Sequence, residues 1–286
     1  MSACGGQTLR AADCIFLEKV ALPLFRQSQA AGADPPPFSV PGGIGGDGGG
    51  ICCGEVRGVL GQVVYQRDGK GTKVVRAPLH GVPVLRVALD PEGFWARRRA
   101  GRAARRLVRQ GAARVLVPED FPFWEELSRA GLRPVDPLPL LRSCAAPMAL
   151  ALLRRQGEDP LRAAVALRGS RAERDLVRAA EELCPRVRDL CLSVQTGGGE
   201  LERYLHRQYG VALRPDWAGV QAAIRFDPRA EEAGQAVLSL FGPEADLAGL
   251  AVSVPGLERQ KEGQWLPLLE ILWETGRLER TDLEFT

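Results

Sequence analysis

Apolar and polar positions fall into a regular pattern from Gly61 onward. Val63-Val64-Tyr65 and Val74-Val75 flank Arg67-Asp68-Gly69-Lys70-Gly71, and the Asp-Gly step predicts a hairpin between two strands. From Val82 the chain alternates strand and helix. Val84–Leu89 reads as a strand, and Asp90-Pro91 as an N-cap with proline at the first helical position. The helix that follows reaches about Gln110 and stops at Gly111. Ala113–Val117 is the next strand, followed by a short helix ending before Gly131 and a brief strand at Arg133–Val135. Asp136-Pro137 then opens a long apolar helix to about Gln156, kinked at Pro147.

The pattern restarts after residue 157. Ala163–Leu167 is apolar throughout, as in a strand covered on both faces. Ser170-Arg171-Ala172-Glu173 has the spacing of a capping box opening a helix to about Leu183. Val187–Val194 is a strand, Thr196–Gly199 a turn, and Glu200–Tyr209 a helix stopped by Gly210. Strand-like runs follow at Ala222–Phe226, Ala236–Phe241 and Leu250–Val254, then a helix at Leu266–Thr275 and a strand at Asp282–Phe285. The last 65 residues read as more antiparallel, an α+β extension on the sheet edge. Strands alternating with helices imply parallel pairing. The expected fold is α/β, a three-layer Rossmann-like sheet from two βαβ halves. Residues 61–157 hold the hairpin and the first half, and residues 158–286 the second half with its C-terminal extension.

Composition changes the picture at the N-terminus. Residues 1–60 hold 12 of the 33 glycines, the run Pro35-Pro36-Pro37 and four of the seven cysteines. Such a segment buries too little apolar surface to offset chain entropy, so it reads as a disordered leader or a mis-called translation start. Gly43-x-Gly45-x-x-Gly48 matches a dinucleotide fingerprint formally, but a Pro-rich stretch precedes it and no amphipathic helix follows. No Cys-x-x-Cys pair occurs among the cysteines (4, 14, 52, 53, 144, 184 and 191), and the only histidines are His80 and His206. This usage predicts reduced thiols, no metal and a cytoplasmic location. The chain shows no signal pattern and no apolar run long enough to span a bilayer, so no membrane partner is expected.

Charge adds one local feature to a net +3: 34 of the 38 basic residues are arginine, a bias typical of GC-rich, bacterial-like coding sequence. Arg97, Arg98, Arg99, Arg102, Arg105, Arg106 and Arg109 crowd one helix whose alanines, with Leu107 and Val108, form an apolar stripe. Arg98, Arg102, Arg105 and Arg109 are thus candidates for phosphate contacts, against the plainer reading of a solvated outer face.

Ligands of open parallel sheets bind outside the carboxyl ends of the strands, which selects Asp90, Pro118–Asp120, Asp136, Gly169–Arg171 and Gln195–Gly199. Gly169, Ser170 and Arg171 could hold a phosphate or carboxylate at a helix start, or could simply form a turn and cap. Thr196, Gly197, Gly198 and Gly199 let backbone approach a ligand, or form a flexible turn. NAD-type binding is disfavoured, because Gln195 and Thr196 stand where an acid would meet the ribose and the Gly169 turn lacks two fingerprint glycines. No cofactor is assigned. No nucleophile motif, P-loop or zinc motif occurs. The leading expectation is a module binding a small anionic ligand or a protein partner, with no evident catalytic machinery. Its alternatives are a nucleotide- or dinucleotide-dependent enzyme at the strand rim, and a nucleic-acid-associated protein using the arginine helix.

Overall fold

The computed structural model describes residues 59–286 except 212, 215–218, 231–233 and 260–263. Residues 1–58, with the glycine fingerprint and four cysteines, lie outside the described residues, while Val59 and Leu60, grouped with the leader above, begin the first strand.

The first half is built on a five-stranded sheet in the order β2-β3-β1-β4-β5. Its strands are β1 (Val59–Tyr65), β2 (Lys70–Leu79), β3 (Val82–Leu89), β4 (Ala112–Leu116) and β5 (Arg133–Pro134). β1 pairs in parallel with both β3 and β4, β4 pairs in parallel with β5, and only β2 runs antiparallel. The expected hairpin between residues 63–65 and 74–75 is therefore not formed. The hairpin joins β2 to β3 through His80 (φ 47°) and Gly81 (φ 81°), two left-handed residues that suit the twist of a two-residue turn. The Asp68-Gly69 step instead folds the chain back beside the end of β3: a Cβ on Gly69 would stand 2.8 Å from the Leu89 backbone. β1 is thereby central, with Leu60 and Val63 buried.

Helices α1 (Ala96–Arg109) and α2 (Trp124–Arg129) connect β3 to β4 and β4 to β5. Ala100, Ala103, Ala104 and Leu107 of α1 pack on Val63, Leu85, Val87 and Val115. Small side chains let α1 lie close to the sheet, with Leu107 Cδ1 only 3.2 Å from where a Gly61 Cβ would be. α1 starts five residues later than Asp90-Pro91 predicts. Asp90 accepts from the Glu92 amide and pairs with Arg99, which holds the intervening residues as a loop.

The apolar stretch after β5 is two helices, α3 (Leu138–Ser143) and α4 (Ala145–Arg155), broken at Cys144 instead of kinked at Pro147. Proline at 147 cannot donate to the carbonyl four residues back. That carbonyl belongs to Ser143, and it accepts from Arg280 Nη1 at 2.5 Å.

The second half has its own four-stranded sheet, order β7-β6-β8-β9, parallel throughout. It comprises β6 (Ala164–Arg171), β7 (Asp189–Thr196), β8 (Ala222–Arg225) and β9 (Ala236–Ser239), with α5 (Arg174–Leu183) and α6 (Gly198–Tyr209) as the β6–β7 and β7–β8 connections. Residues 164–167 of β6 are all buried, as their unbroken apolar run anticipates, and Arg168 and Gly169 after them are buried too. The fold is thus mixed α/β with mostly parallel sheets, compatible with a Rossmann-like fold, but the two halves carry separate sheets.

The antiparallel expectation for the last 65 residues holds for β10 (Val252–Ser253) and β11 (Glu284–Phe285) and for the single bridges Ser239–Asp246 and Val254–Leu257, whereas β8 and β9 are parallel. β8 is apolar up to Arg225 and buried throughout, which suits a parallel strand covered on both sides. Helix α7 (Trp265–Glu274) returns to the first half, where Glu274 makes a two-pronged pair with Arg114 of β4 at 2.7 and 2.9 Å. Among the described residues no helix is long and apolar enough to cross a membrane.

Candidate functional site

Gly169, Ser170 and Arg171 are strand residues, because β6 runs on to Arg171. Gly169 is a packing position: an added Cβ would stand 2.9 Å from Leu176 Cδ1 of α5. The predicted capping box is absent. Glu173 is itself the N-cap residue of α5, no side chain caps the helix, and the Ser170 hydroxyl donates to Asp227 at 2.6 Å. That bond, with the Arg229 amide, holds the Asp227 carboxyl below its usual range.

The structure does bring this segment and Thr196–Gly199 together. Arg171 and Thr196 are register partners, and the Ala172 amide donates to the Thr196 carbonyl at 2.9 Å. Gly197 is the N-cap of α6 with φ 82°, and a Cβ there would meet Ala172 Cβ at 3.1 Å. The two loops therefore touch and leave little room between them. Glu173 and Asp175 put negative charge at the start of α5. Arg142 of α3 closes the neighbouring strand ends, donating to the carbonyls of Leu240 and Phe226 at 2.9 Å and lying 3.4 Å from Glu173. Asp90 is committed to Arg99 at 2.9 Å.

Open space lies instead at the carboxyl ends of β4, β5 and β9. A cleft of about 750 Å³ is bounded by Glu119 after β4, Pro134 and Val135 at β5, and Pro243–Leu247 after β9. Trp124 of α2, Leu141 of α3 and Trp265 of α7 give it apolar walls. Trp265 is fixed in place by its indole N–H, which donates to the Val252 carbonyl at 2.7 Å.

The polar residues lining this cleft are Glu119, Ser128, Glu244, Arg259 and Gln264. α7 begins there: its N-cap Gln264 makes no side-chain cap, and its first turn holds no acid. The Gln264 amide is used by the Val117 carbonyl, and Pro267 has no N–H; the amides of Trp265 and Leu266, which meet no acceptor among the described residues, lie at the positive end of the helix dipole. Arg259 also lines the cleft, paired with Glu119 at 2.5 Å, with 63% of each side chain exposed. An exposed pair of this kind is worth about 0–1 kcal/mol, so an anionic ligand could take Arg259 from Glu119 at little cost.

Of the positions chosen by the carboxyl-end rule only Glu119 lines this cleft; Asp136 stands next to the lining residue Pro137, and Trp124, Arg259 and Trp265 were missed. The signal available was the run Phe121-Pro122-Phe123-Trp124 directly after a strand, too aromatic for an ordinary exposed loop. Of the arginine helix, Arg97 pairs with Glu125 and Glu126 and Arg99 with Asp90, whereas Arg98, Arg102, Arg105 and Arg109 form no ion pair among the described residues. Nor do three or more His, Cys, Asp or Glu side chains converge there as a metal site requires. No protein-family model matches the chain, and no curated protein matches it either.

Proposed function

We propose that the protein is a binding module for a small anionic molecule with a flat apolar body, held in the cleft at the ends of β4, β5 and β9. In this reading each half is a three-layer Rossmann-like unit, residues 61–157 and 158–286, and the ligand site lies where their strand ends open toward a common space. The observation that carries it is the cleft itself, walled by two indoles and closed at one end by the uncapped start of α7. Apolar walls with a few placed polar groups are the usual make-up of a small-molecule site. A carboxylate or phosphate would rest on the Trp265 and Leu266 amides and on Arg259, and the ring system against Trp124 and Trp265.

The test uses anilinonaphthalene sulfonate, a flat apolar anion, as the probe in a fluorescence titration of the full chain. Saturable one-to-one binding is expected. Ala245→Trp, at a half-exposed lining position, should fill the cleft and weaken binding at least tenfold, and Arg259→Gln should weaken it severalfold. Binding that is unchanged in the Ala245→Trp protein would remove the cleft from the account.

A further inference from the structure

Helix α1 turns a second and unrelated surface to solvent. At 3.6 residues per turn, Arg98, Arg102, Arg105 and Arg109 fall within a stripe about 60° wide that runs about 16 Å along the helix. All four are exposed, as is Arg106 beside them. Three acids near α1 are already engaged: Asp90 by Arg99, and Glu125 and Glu126 by Arg97 and Arg129. Strand β2 lies along the other flank, with Gly71 so close that a Cβ would stand 2.7 Å from the Arg99 carbonyl. Lys70 and Lys73, the only lysines among the described residues, are both exposed on that strand.

The second observation is aromatic. Phe94 is 91% exposed and Trp95 51% exposed, at the head of the stripe. The rings meet edge to face with centroids 5.1 Å apart, and the Arg98 guanidinium lies 5.3 Å from the centre of the Trp95 ring. Large apolar rings left in water beside a row of cations offer stacking faces next to phosphate contacts, which is the combination that single-stranded nucleic acid uses. A duplex would use the cations but not the rings. An anionic membrane would use both, but Phe94 and Trp95 sit at one end of a helix whose own apolar side is buried against the sheet, and that leaves no apolar face to insert.

We infer that the α1 face binds single-stranded nucleic acid, its backbone along Arg98, Arg102, Arg105 and Arg109 and a base on Phe94 or Trp95. The experiment measures anisotropy of a fluorescein-labelled oligothymidine with the full-length protein, against a duplex of equal length and phosphatidylserine vesicles. With three to four phosphates neutralised, the log–log salt slope should be about −2 to −3, a loss of about 15- to 60-fold between about 50 mM and about 200 mM salt. Changing Arg98, Arg102 and Arg105 together to Gln should flatten that slope to between about −1 and 0. These side chains are exposed, so circular dichroism should be unchanged. Phe94→Ala should weaken binding severalfold while leaving the slope intact, and oligothymidine should quench a fluorescence component that Trp95→Phe removes. The inference is overturned by absent binding at low salt, by a slope unaffected in the triple variant, by tighter binding to duplex without quenching, or by binding to the vesicles alone.

Discussion

Glu270 is buried on α7 with one carboxylate oxygen accepting the Leu140 amide at 2.8 Å and the other meeting no donor. Burial lifts its carboxyl to about 7. The Leu140 amide and Arg114 oppose the rise, while Glu274 and Asp136 add to it. A carboxyl whose pKa is raised on folding favours the protonated folded state. Its contribution is complete below about pH 4.3 and is lost as pH climbs toward 7. Glu270→Gln keeps an acceptor for Leu140 and removes the charge. It should therefore raise stability by about 1–2 kcal/mol at pH 8 and leave it nearly unchanged at pH 4.5, read by urea unfolding at the two values. Equal effects at both pH values would contradict this assignment. The sequence shows Glu270 only as one acid in an apolar helix, because its burial depends on α3 packing against α7 from 130 residues away. Cys144 and Cys184 are both buried, and burial raises both thiols, Cys184 to about 11, so they behave as small apolar side chains.

At the scale of elements, most strands and helices were legible because each carries its own period. β6 shows as an unbroken apolar run, and α1 shows an alanine stripe against arginines. What the sequence hid is pairing. Asp68-Gly69 is the stronger local turn signal, yet the hairpin forms at His80-Gly81, because β1 is taken up between β3 and β4. No local pattern records that a strand ten residues away will be displaced by one made later in the chain. The same holds at Ser170, whose hydroxyl goes to Asp227, 57 residues on, in place of the helix start three residues away. Hydrogen exchange can test the order of the first sheet. As a central strand, β1 should have its amides from Leu60 to Val64 protected about a hundredfold more than the outward-facing amides of β2. Comparable protection on the two strands would restore the β1–β2 hairpin and break the proposed sheet order.

For the whole molecule, the βα alternation foretold an α/β fold of two halves but not that each half would close its own sheet, nor that α7 would cross back to the first. The Arg114–Glu274 pair and the Arg277 contact to the Gly81 carbonyl draw the chain's end onto the first sheet. That return places the start of α7 at the cleft. The carboxyl-end rule weighed every strand end equally. Packing decides among them: Leu176 and Ala172 fill the ends of β6 and β7, Arg142 holds the carbonyls just after β8 and β9, and the cleft opens past β4, β5 and the loop that follows β9. The central claim is that this opening holds a flat anionic molecule, and a crystal structure with anilinonaphthalene sulfonate tests it most directly. The account predicts the ring system in the cleft against Trp124 or Trp265, with the sulfonate at the Trp265 and Leu266 amides and within reach of Arg259. A probe found only on the arginine face of α1, or only at the Gly169–Gly199 rim with the cleft empty, would contradict it.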